Sequence, residues 1–175
     1  KARLPDGSSV IVGFSLAFLS NPETPNMTFF CCQQHAPEHF WKPEYQIHSN
    51  TAYALQEIII LANNPLSSLS FFQKTHGPGS IAHDGEDLSI KLHNGLISLL
   101  TPTSFEKRFG PGTSKKTKTP KFAGFQISVS NIIDTKVTLR NAGLETREFN
   151  KRIQLGPHDN FDTIIEFVER DLGYA

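Results

Sequence analysis

Histidines and a carboxylate are grouped in one polar segment of this chain. His35 and Glu38 directly follow a strand-like stretch, and His48 and Asn50 come shortly before the next one. A histidine beside a carboxylate can act as a general base, because its neighbour tunes the imidazole pKa. The same residues would serve equally as a hydrogen-bonded clamp that fixes the angle between two modules, so both interpretations stay open.

Two aromatic residues, Trp41 and Tyr45, lie within the same segment. Their rings could wall an apolar ligand pocket or simply bury against neighbouring modules. With Pro37 and Pro43 and little periodicity, residues 35–51 are predicted to connect two folded modules.

Global composition argues against several classes of function. The 17 basic and 17 acidic residues balance, so nothing favours nucleic acid or an anionic membrane as partner. No apolar run is long enough to span a membrane. The sequence contains no zinc-protease His-Glu-x-x-His motif, no serine-hydrolase elbow, no P-loop and no dinucleotide fingerprint.

The cysteines Cys31 and Cys32 are adjacent. In a strand they point to opposite faces, so a disulfide between them is not expected. We expect both to be reduced and to bind no metal, as in a cytoplasmic protein.

An internal repeat is the clearest architectural signal. An aliphatic stretch, an Asn, a helical segment, a Gly and short strands occur in that order twice, with landmarks about 67 residues apart. Asn64 pairs with Asn131, and Ser98 with Glu166. This order predicts two strand–helix–three-strand modules, βαβββ, with a cleft between them.

The repeat also sets the expected boundaries. Residues 53–109 and 122–175 form the two full modules, and 110–121 is a basic linker that is either a solvated connector or an anion-binding patch. Residues 1–52 read as the last strands of a further, partial module plus the connector. We therefore expect the sequence to be a fragment of a longer protein.

Each module's first strand should position the polar side chains of the cleft. In the second module Phe125, Ile127 and Val129 alternate with Gly124, Gln126 and Ser128. The apolar set should pack on the helix, and the polar set should line the cleft. Helices are expected to begin at Asn63 or Asn64, followed by Pro65, and near Asn131.

The module order resembles the vicinal oxygen chelate superfamily, which includes glyoxalase I, bleomycin-resistance proteins and extradiol dioxygenases. Residues 29–50 are similar to a Cys-Gln-x-His-x-Pro-Glu-x-Phe-Trp-x-Pro-Glu-Tyr-Gln-x-His segment of bacterial glyoxalase-like domain proteins. Residues 3–7 and 99–109 are similar to the same group. The resemblance implies an α+β fold in which tandem βαβββ modules curve mixed sheets into a half-barrel cup.

The resemblance also implies where a divalent metal would bind. Its ligands come from the first and last strand of each module, which here gives Glu57, Ser98, Gly124 and Glu166. Only two of the four are carboxylates, so we expect no metal or other cofactor in this chain, with Glu57 and Glu166 as weak candidates. A longer protein could still hold a metal. Symmetry places a ligand pocket at Glu57, Ser98, Gln126 and Glu166.

Two functions follow from the resemblance. The first is a glyoxalase-type enzyme acting on a small oxygenated metabolite, such as an α-keto acid, a thiol adduct or a catechol-like compound. The second is a non-catalytic small-molecule binding protein of the bleomycin-resistance type. Expected partners are a small-molecule ligand and either a second copy, forming a homodimer, or a missing N-terminal module.

Overall fold

The computed structural model describes residues 1–4, 6–114, 117–157 and 160–170. Lys115 and Lys116 of the predicted basic linker, and residues 171–175 of the second module, lie outside the described residues. The chain divides into a smaller unit, Lys1–Ser20 with Thr28–Ile47, and a larger unit, Asn21–Met27 with His48–Ala175.

The described residues of the smaller unit include two antiparallel pairs of strands. Strands β1 (Ala2–Arg3) and β2 (Ser9–Val10) form a short pair, and β3 (Phe14–Leu19) and β4 (Phe29–Gln34) form a longer one. Two single-turn 3₁₀ helices follow at Pro37–His39 and Pro43–Tyr45. Each begins with a proline, whose fixed φ suits the first helical position.

In its described residues, the larger unit contains one eight-stranded mixed sheet and three α-helices. The first module supplies β5 (Ala52–Leu61), α1 (Leu69–His76), β6 (Ile81–Asp84), β7 (Asp87–Lys91) and β8 (Leu96–Leu100), followed by α2 (Pro102–Phe109). The second supplies β9 (Lys121–Val129), α3 (Ile132–Asn141), β10 (Thr146–Phe149), β11 (Arg152–Leu155) and β12 (Ile164–Glu169).

Both modules have the same strand order. The sheet runs β10-β11-β12-β9-β5-β8-β7-β6. In each module the first strand pairs in parallel with the last, and the two first strands, β5 and β9, join the modules in antiparallel. The predicted α+β fold, with tandem βαβββ modules curved into a cup, is confirmed.

The helix starts agree only partly with the sequence signals. The Asn131 side chain accepts hydrogen bonds from the backbone N–H groups of Ile133 and Asp134, which confirms it as the N-cap of α3. Asn64 precedes a 3₁₀ turn at Pro65–Ser68, and its side chain makes no capping bond there. The first helix is therefore entered through that turn, and α1 proper begins at Leu69.

One face of the sheet is covered by α3. Val129, Ile153, Leu155 and Phe167 form a buried cluster with Leu139 of α3, and Ile127 packs against it. The predicted packing of the apolar side of β9 on the helix is confirmed. The opposite face of the sheet carries Glu57, Gln126 and Glu166, and we call it the cup face.

Helix α2 lies on the cup face. Thr101 caps it by accepting a hydrogen bond from the Ser104 N–H, Pro102 occupies its first turn, and Gly110 ends it at φ +102°. Phe105 and Phe109, one turn apart, pack on Ile59, Leu61, Ala123 and Ile164. The helix thus fills part of the cup with its own aromatic side chains.

Two loops are anchored to the larger unit. Asn21, Thr24 and Met27 are buried in the segment between β3 and β4. The amide of Asn26 donates to Thr119, and that of Asn63 donates to the Thr117 carbonyl. The described residues of the 110–121 linker therefore hold specific contacts just before β9.

Candidate functional site

Three polar side chains stand in one row across the cup face. Gln126 of β9 is the register partner of Glu57 in β5 on one side and of Glu166 in β12 on the other. Directly opposed residues on neighbouring strands point to the same face of a sheet. The antiparallel joint between the modules therefore brings both carboxylates to the centre of the cup.

The guanidinium of Arg108, on α2, joins the two carboxylates. Its Nη1 and Nη2 donate to the two oxygens of Glu57 at 2.9 and 2.7 Å. Nη2 also donates to Glu166 at 2.7 Å. Charge-assisted hydrogen bonds of this kind are roughly twice as strong as those between neutral groups, and the bidentate geometry fixes their direction.

Glu166 is held by three further side chains. Arg152 donates at 3.0 Å, Gln154 donates at 3.0 Å, and the Gln126 amide also donates to it. Glu57 and Glu166 are 6 % and 0 % exposed. The two carboxylates and two guanidinium groups balance in charge, as buried ions must. We call Glu57, Arg108, Gln126, Arg152, Gln154 and Glu166 the Arg108 cluster.

The cluster shifts the pKa of Glu166 and that of Arg108 in opposite directions. Burial by itself would raise the pKa of Glu166, but the hydrogen bonds and charge of Arg108, with the amides of Gln154 and Gln126, hold it below its ordinary value of 4.5. Burial would lower the pKa of Arg108, and its bonds to Glu57 and Glu166 raise it instead. Glu166 and Arg108 therefore both stay charged at neutral pH.

A cavity of about 520 Å³ adjoins the cluster. Arg108, Arg152 and Glu166 form one wall of it, so the cluster faces the cavity directly. The remaining lining combines one cation, two carboxylates, other polar groups and two apolar side chains: Lys107, Asp84, Asp87, Ser104, Asn150, Leu100 and Phe149. Its size suits a small molecule with several polar groups.

Known structures share this architecture. The methylmalonyl-CoA epimerase of Mycobacterium tuberculosis superposes with a TM-score of 0.52 at 14 % identity, over 77 % of this chain and 100 % of that one. The chain has the vicinal oxygen chelate fold. A Streptomyces coelicolor methylmalonyl-CoA epimerase variant in complex with 2-nitronate-propionyl-CoA gives a TM-score of 0.48 at 14 % identity, over 69 % of this chain and 96 % of that one.

A hypothetical protein of Bacillus halodurans gives a TM-score of 0.47 at 14 % identity, over 70 % of this chain and 97 % of that one. No protein-family model and no curated protein matches the sequence. At 14 % identity the likeness shows the fold. The chemistry of the site has to be argued from this chain's own residues.

The residues at the metal position of the vicinal oxygen chelate fold do not fit a divalent cation. Both carboxylates there already receive hydrogen bonds from Arg108. A metal ion bound between them would lie against the guanidinium charge and would lose the carboxylate oxygens that it needs. In the described part of the chain, no group of three His, Cys, Asp or Glu residues could hold a metal.

Ser98 and Gly124, the other two expected positions, lie one row away from the cluster. Both are register partners of Ile59. A Cβ at Gly124 would lie 2.8 Å from the Ile164 carbonyl oxygen, so the close approach of β12 requires a glycine there. Ser98 is buried on β8 and faces Ser89 across the sheet.

Four predicted site residues belong to the smaller unit. The His35 ring nitrogen Nε2 lies 2.7 Å from the Ser15 hydroxyl, and Glu38 lies 3.8 Å from His39. The Trp41 indole donates to Gln34, and the Lys42 ammonium lies over the ring of Tyr45. Both aromatic side chains are exposed.

His48 lies in the larger unit, away from the cup face. It borders a cavity of about 430 Å³ with Tyr53, Leu55, Phe125 and Ile127. Phe125 and Ile127 belong to the side of β9 that packs on α3, so this cavity opens on the opposite face of the sheet. His48 and the Arg108 cluster are therefore on different sides of the sheet.

The two cysteines form no disulfide: Cys31 and Cys32 are both free and exposed. His83 and His93 are exposed, and His158 lies outside the described residues. Within the described residues, no helix combines the length and apolarity needed to cross a membrane.

The sequence interpretation missed Arg108, Arg152 and Gln154. A signal for Arg108 was present, since Thr101 and Pro102 are a helix start, Phe105 and Phe109 lie one turn apart, and Gly110 stops the helix. These residues predict an amphipathic helix with a basic side chain beside its apolar stripe. Nothing in the sequence shows which face of the sheet that helix covers.

The lowered pKa of Glu166 predicts loss of stability in acid. Since the unfolded chain binds a proton at Glu166 at higher pH than the folded chain does, this stabilisation is complete above pH 4.5 and is lost as pH falls below it. Urea unfolding followed by circular dichroism between pH 7 and 3 should show this decline. The fall of the unfolding free energy with decreasing pH should be shallower for Glu166→Gln than for the unsubstituted chain. It should be unchanged for Glu86→Gln, whose side chain is exposed. Equal pH dependence in all three proteins would contradict the prediction.

Proposed function

We propose that the larger unit binds a small oxygenated molecule in the 520 Å³ cavity of the cup without using a divalent metal. The observation that carries this proposal is the bridging of Glu57 and Glu166 by Arg108. The guanidinium supplies the positive charge that a metal would otherwise place beside the two carboxylates. A ligand in the cavity would then meet fixed hydrogen-bond donors, not a Lewis acid.

The cluster supports capture of a ligand better than proton transfer. A general base works best when its pKa lies near the working pH, and the pKa of Glu166 is lowered from an already acidic value. Its lone pairs are also committed to donors from Arg108, Arg152, Gln126 and Gln154. The non-catalytic alternative, a binding protein of the bleomycin-resistance type, is therefore the function we favour.

The charges in the cavity wall indicate the kind of ligand. Lys107 and Arg152 present cations at the cavity, while Asp84 and Asp87 present carboxylates. Leu100 and Phe149 add apolar surface. A compact molecule with oxygen acceptors and a small apolar part, such as an α-keto acid or a catechol, would match this wall.

Metal analysis and a ligand screen test the proposal together. We expect the purified chain to hold far less than one equivalent of divalent metal after dialysis. Pyruvate or catechol should raise its melting temperature equally with and without EDTA. The shift should be lost in Arg152→Gln and kept in Lys91→Gln, whose side chain is exposed and lies outside the cavity lining.

A stoichiometric metal would overturn the proposal, provided that it is lost when both carboxylates are replaced. Glu57→Ala with Glu166→Ala makes that comparison. Because this pair leaves Arg108 without its two anions, Glu57→Gln with Glu166→Gln serves as a second variant that keeps side-chain volume. A ligand-induced rise in melting temperature that disappears when EDTA is added would also contradict the proposal and favour a metalloenzyme.

A further inference from the structure

The hairpin of β3 and β4 in the smaller unit has an open edge. In the described part of the chain, β4 pairs with β3 alone. From Phe30 to Gln34, its other edge therefore presents backbone N–H and C=O groups that pair with no strand of the described residues. A two-stranded hairpin is marginally stable by itself and normally needs a further strand or a helix.

One face of this hairpin is apolar and open. Register places Leu16 opposite Cys32, and Phe18 opposite Phe30. Leu16, Phe18 and Phe30 are 49 %, 64 % and 53 % exposed. The Phe40 ring lies beside Phe14 at one end of this face, with ring centroids 5.4 Å apart.

The other face of the hairpin is mixed in character. It carries Ser15 opposite Gln33, Ala17 opposite Cys31, and the apolar pair of Leu19 opposite Phe29. Since neighbouring residues of a strand alternate between faces, Cys32 lies on the apolar face and Cys31 on the opposite one. The labelling rate of Cys32 therefore measures exposure of the apolar face, and that of Cys31 measures exposure of the opposite face.

The full modules show what covers such a pair of strands. In the second module, β11 and β12 form the same antiparallel pair, and β9 lies in parallel along the outer edge of β12. Helix α3, which directly follows β9, covers the apolar residues Ile153 and Phe167 of that pair. One strand–helix segment thus pairs with the open edge of β12 and also covers the apolar face of the β11–β12 pair.

A second copy of the hairpin would be a poorer occupant. Two strands of six residues offer a face of roughly 200 Å² from strand rise and spacing, against about 800 Å² per partner in a stable interface. Pairing of two β4 edges would leave both apolar faces in water. A strand–helix segment covers edge and face together, and therefore buries more surface.

We propose that the β3–β4 hairpin is a docking surface for a strand–helix segment. The strand pairs in parallel with β4, and the helix places aliphatic or aromatic side chains on Leu16, Phe18 and Phe30. The partner is a polypeptide with the pattern of residues 121–143: an alternating β-strand, an Asn cap and an amphipathic helix. This inference is independent of the ligand site.

Thiol labelling of the full chain tests the docking. Residues 121–143 are added ahead of Lys1 through a flexible Gly/Ser linker, which raises the effective concentration of the segment. In a Cys31→Ser background, we expect the segment to slow the labelling of Cys32 about tenfold, because labelling then requires local opening. In a Cys32→Ser background, Cys31 should label at the rate of the unfused chain.

The matched control carries Ile127→Pro in the added segment only, because proline breaks a strand ladder; it should leave Cys32 fully reactive. Hydrogen exchange at the β4 amides gives a second measurement and should slow only with the intact segment. Equal Cys32 rates with and without the segment would overturn the proposal. So would a Cys32 that is already protected in the unfused chain, or protection that follows dimer formation by the unfused chain.

Discussion

Replacing Arg108 with Met should destabilise the larger unit by about 3–5 kcal/mol, the usual cost of leaving a buried charge without its partner. In the described part of the chain, both hydrogen bonds to the Glu57 carboxylate come from Arg108. Glu166 would keep Arg152 and the two glutamine amides, so the main penalty falls on Glu57. Equilibrium urea unfolding, followed by circular dichroism, measures the loss.

A double-mutant cycle separates charge from packing in that loss. Arg108→Met with Glu57→Gln removes one charge of each sign and leaves Glu166 paired with Arg152, so we expect it to recover most of the stability. Fluorescence would be the wrong probe, because the sole tryptophan, Trp41, lies in the smaller unit. A single variant that loses less than about 1 kcal/mol, the range of an exposed pair, would show that Arg108 is not essential to the cup.

Phe105→Ala should also cost about 3–5 kcal/mol, because a large aromatic side chain leaves a cavity that the surroundings only partly fill. Phe105 is 1 % exposed, and its ring centroid lies 4.7 Å from that of Phe109. It anchors α2 to Ile59, Leu61 and Ile164 of the sheet. Urea unfolding under the conditions used for Arg108→Met measures the effect.

Two companion variants make the Phe105 result specific. Phe105→Leu should cost less than the alanine variant, because a smaller cavity remains. Ile133→Ala should be nearly neutral, since Ile133 is 70 % exposed on α3. If Phe105→Ala were as mild as Ile133→Ala, α2 would not be held by its aromatic face, and Arg108 would not be held in place by packing.

Local sequence patterns determined much of this fold. The alternation around Ile127 fixed which side of β9 meets a helix, because strand side chains alternate strictly. Asn131 marked the start of α3 because its side chain satisfies the first free N–H groups. The repeat itself placed Glu57 on the first strand of one module and Glu166 on the last strand of the other. The symmetry of the two modules was enough to predict that both line one pocket.

The contacts of those carboxylates depend on the tertiary structure. Arg108, Arg152 and Gln154 reach Glu57 and Glu166 across 12 to 58 residues of sequence, and their positions depend on how α2 and β11 pack. The sequence by itself indicates only that Glu57 and Glu166 occupy positions from which a divalent metal could be bound. Whether the cation beside them is a metal or a guanidinium depends on which face of the sheet α2 covers. Phe105 and Phe109 hold α2 on the cup face, because burying their apolar side chains against the sheet removes them from water.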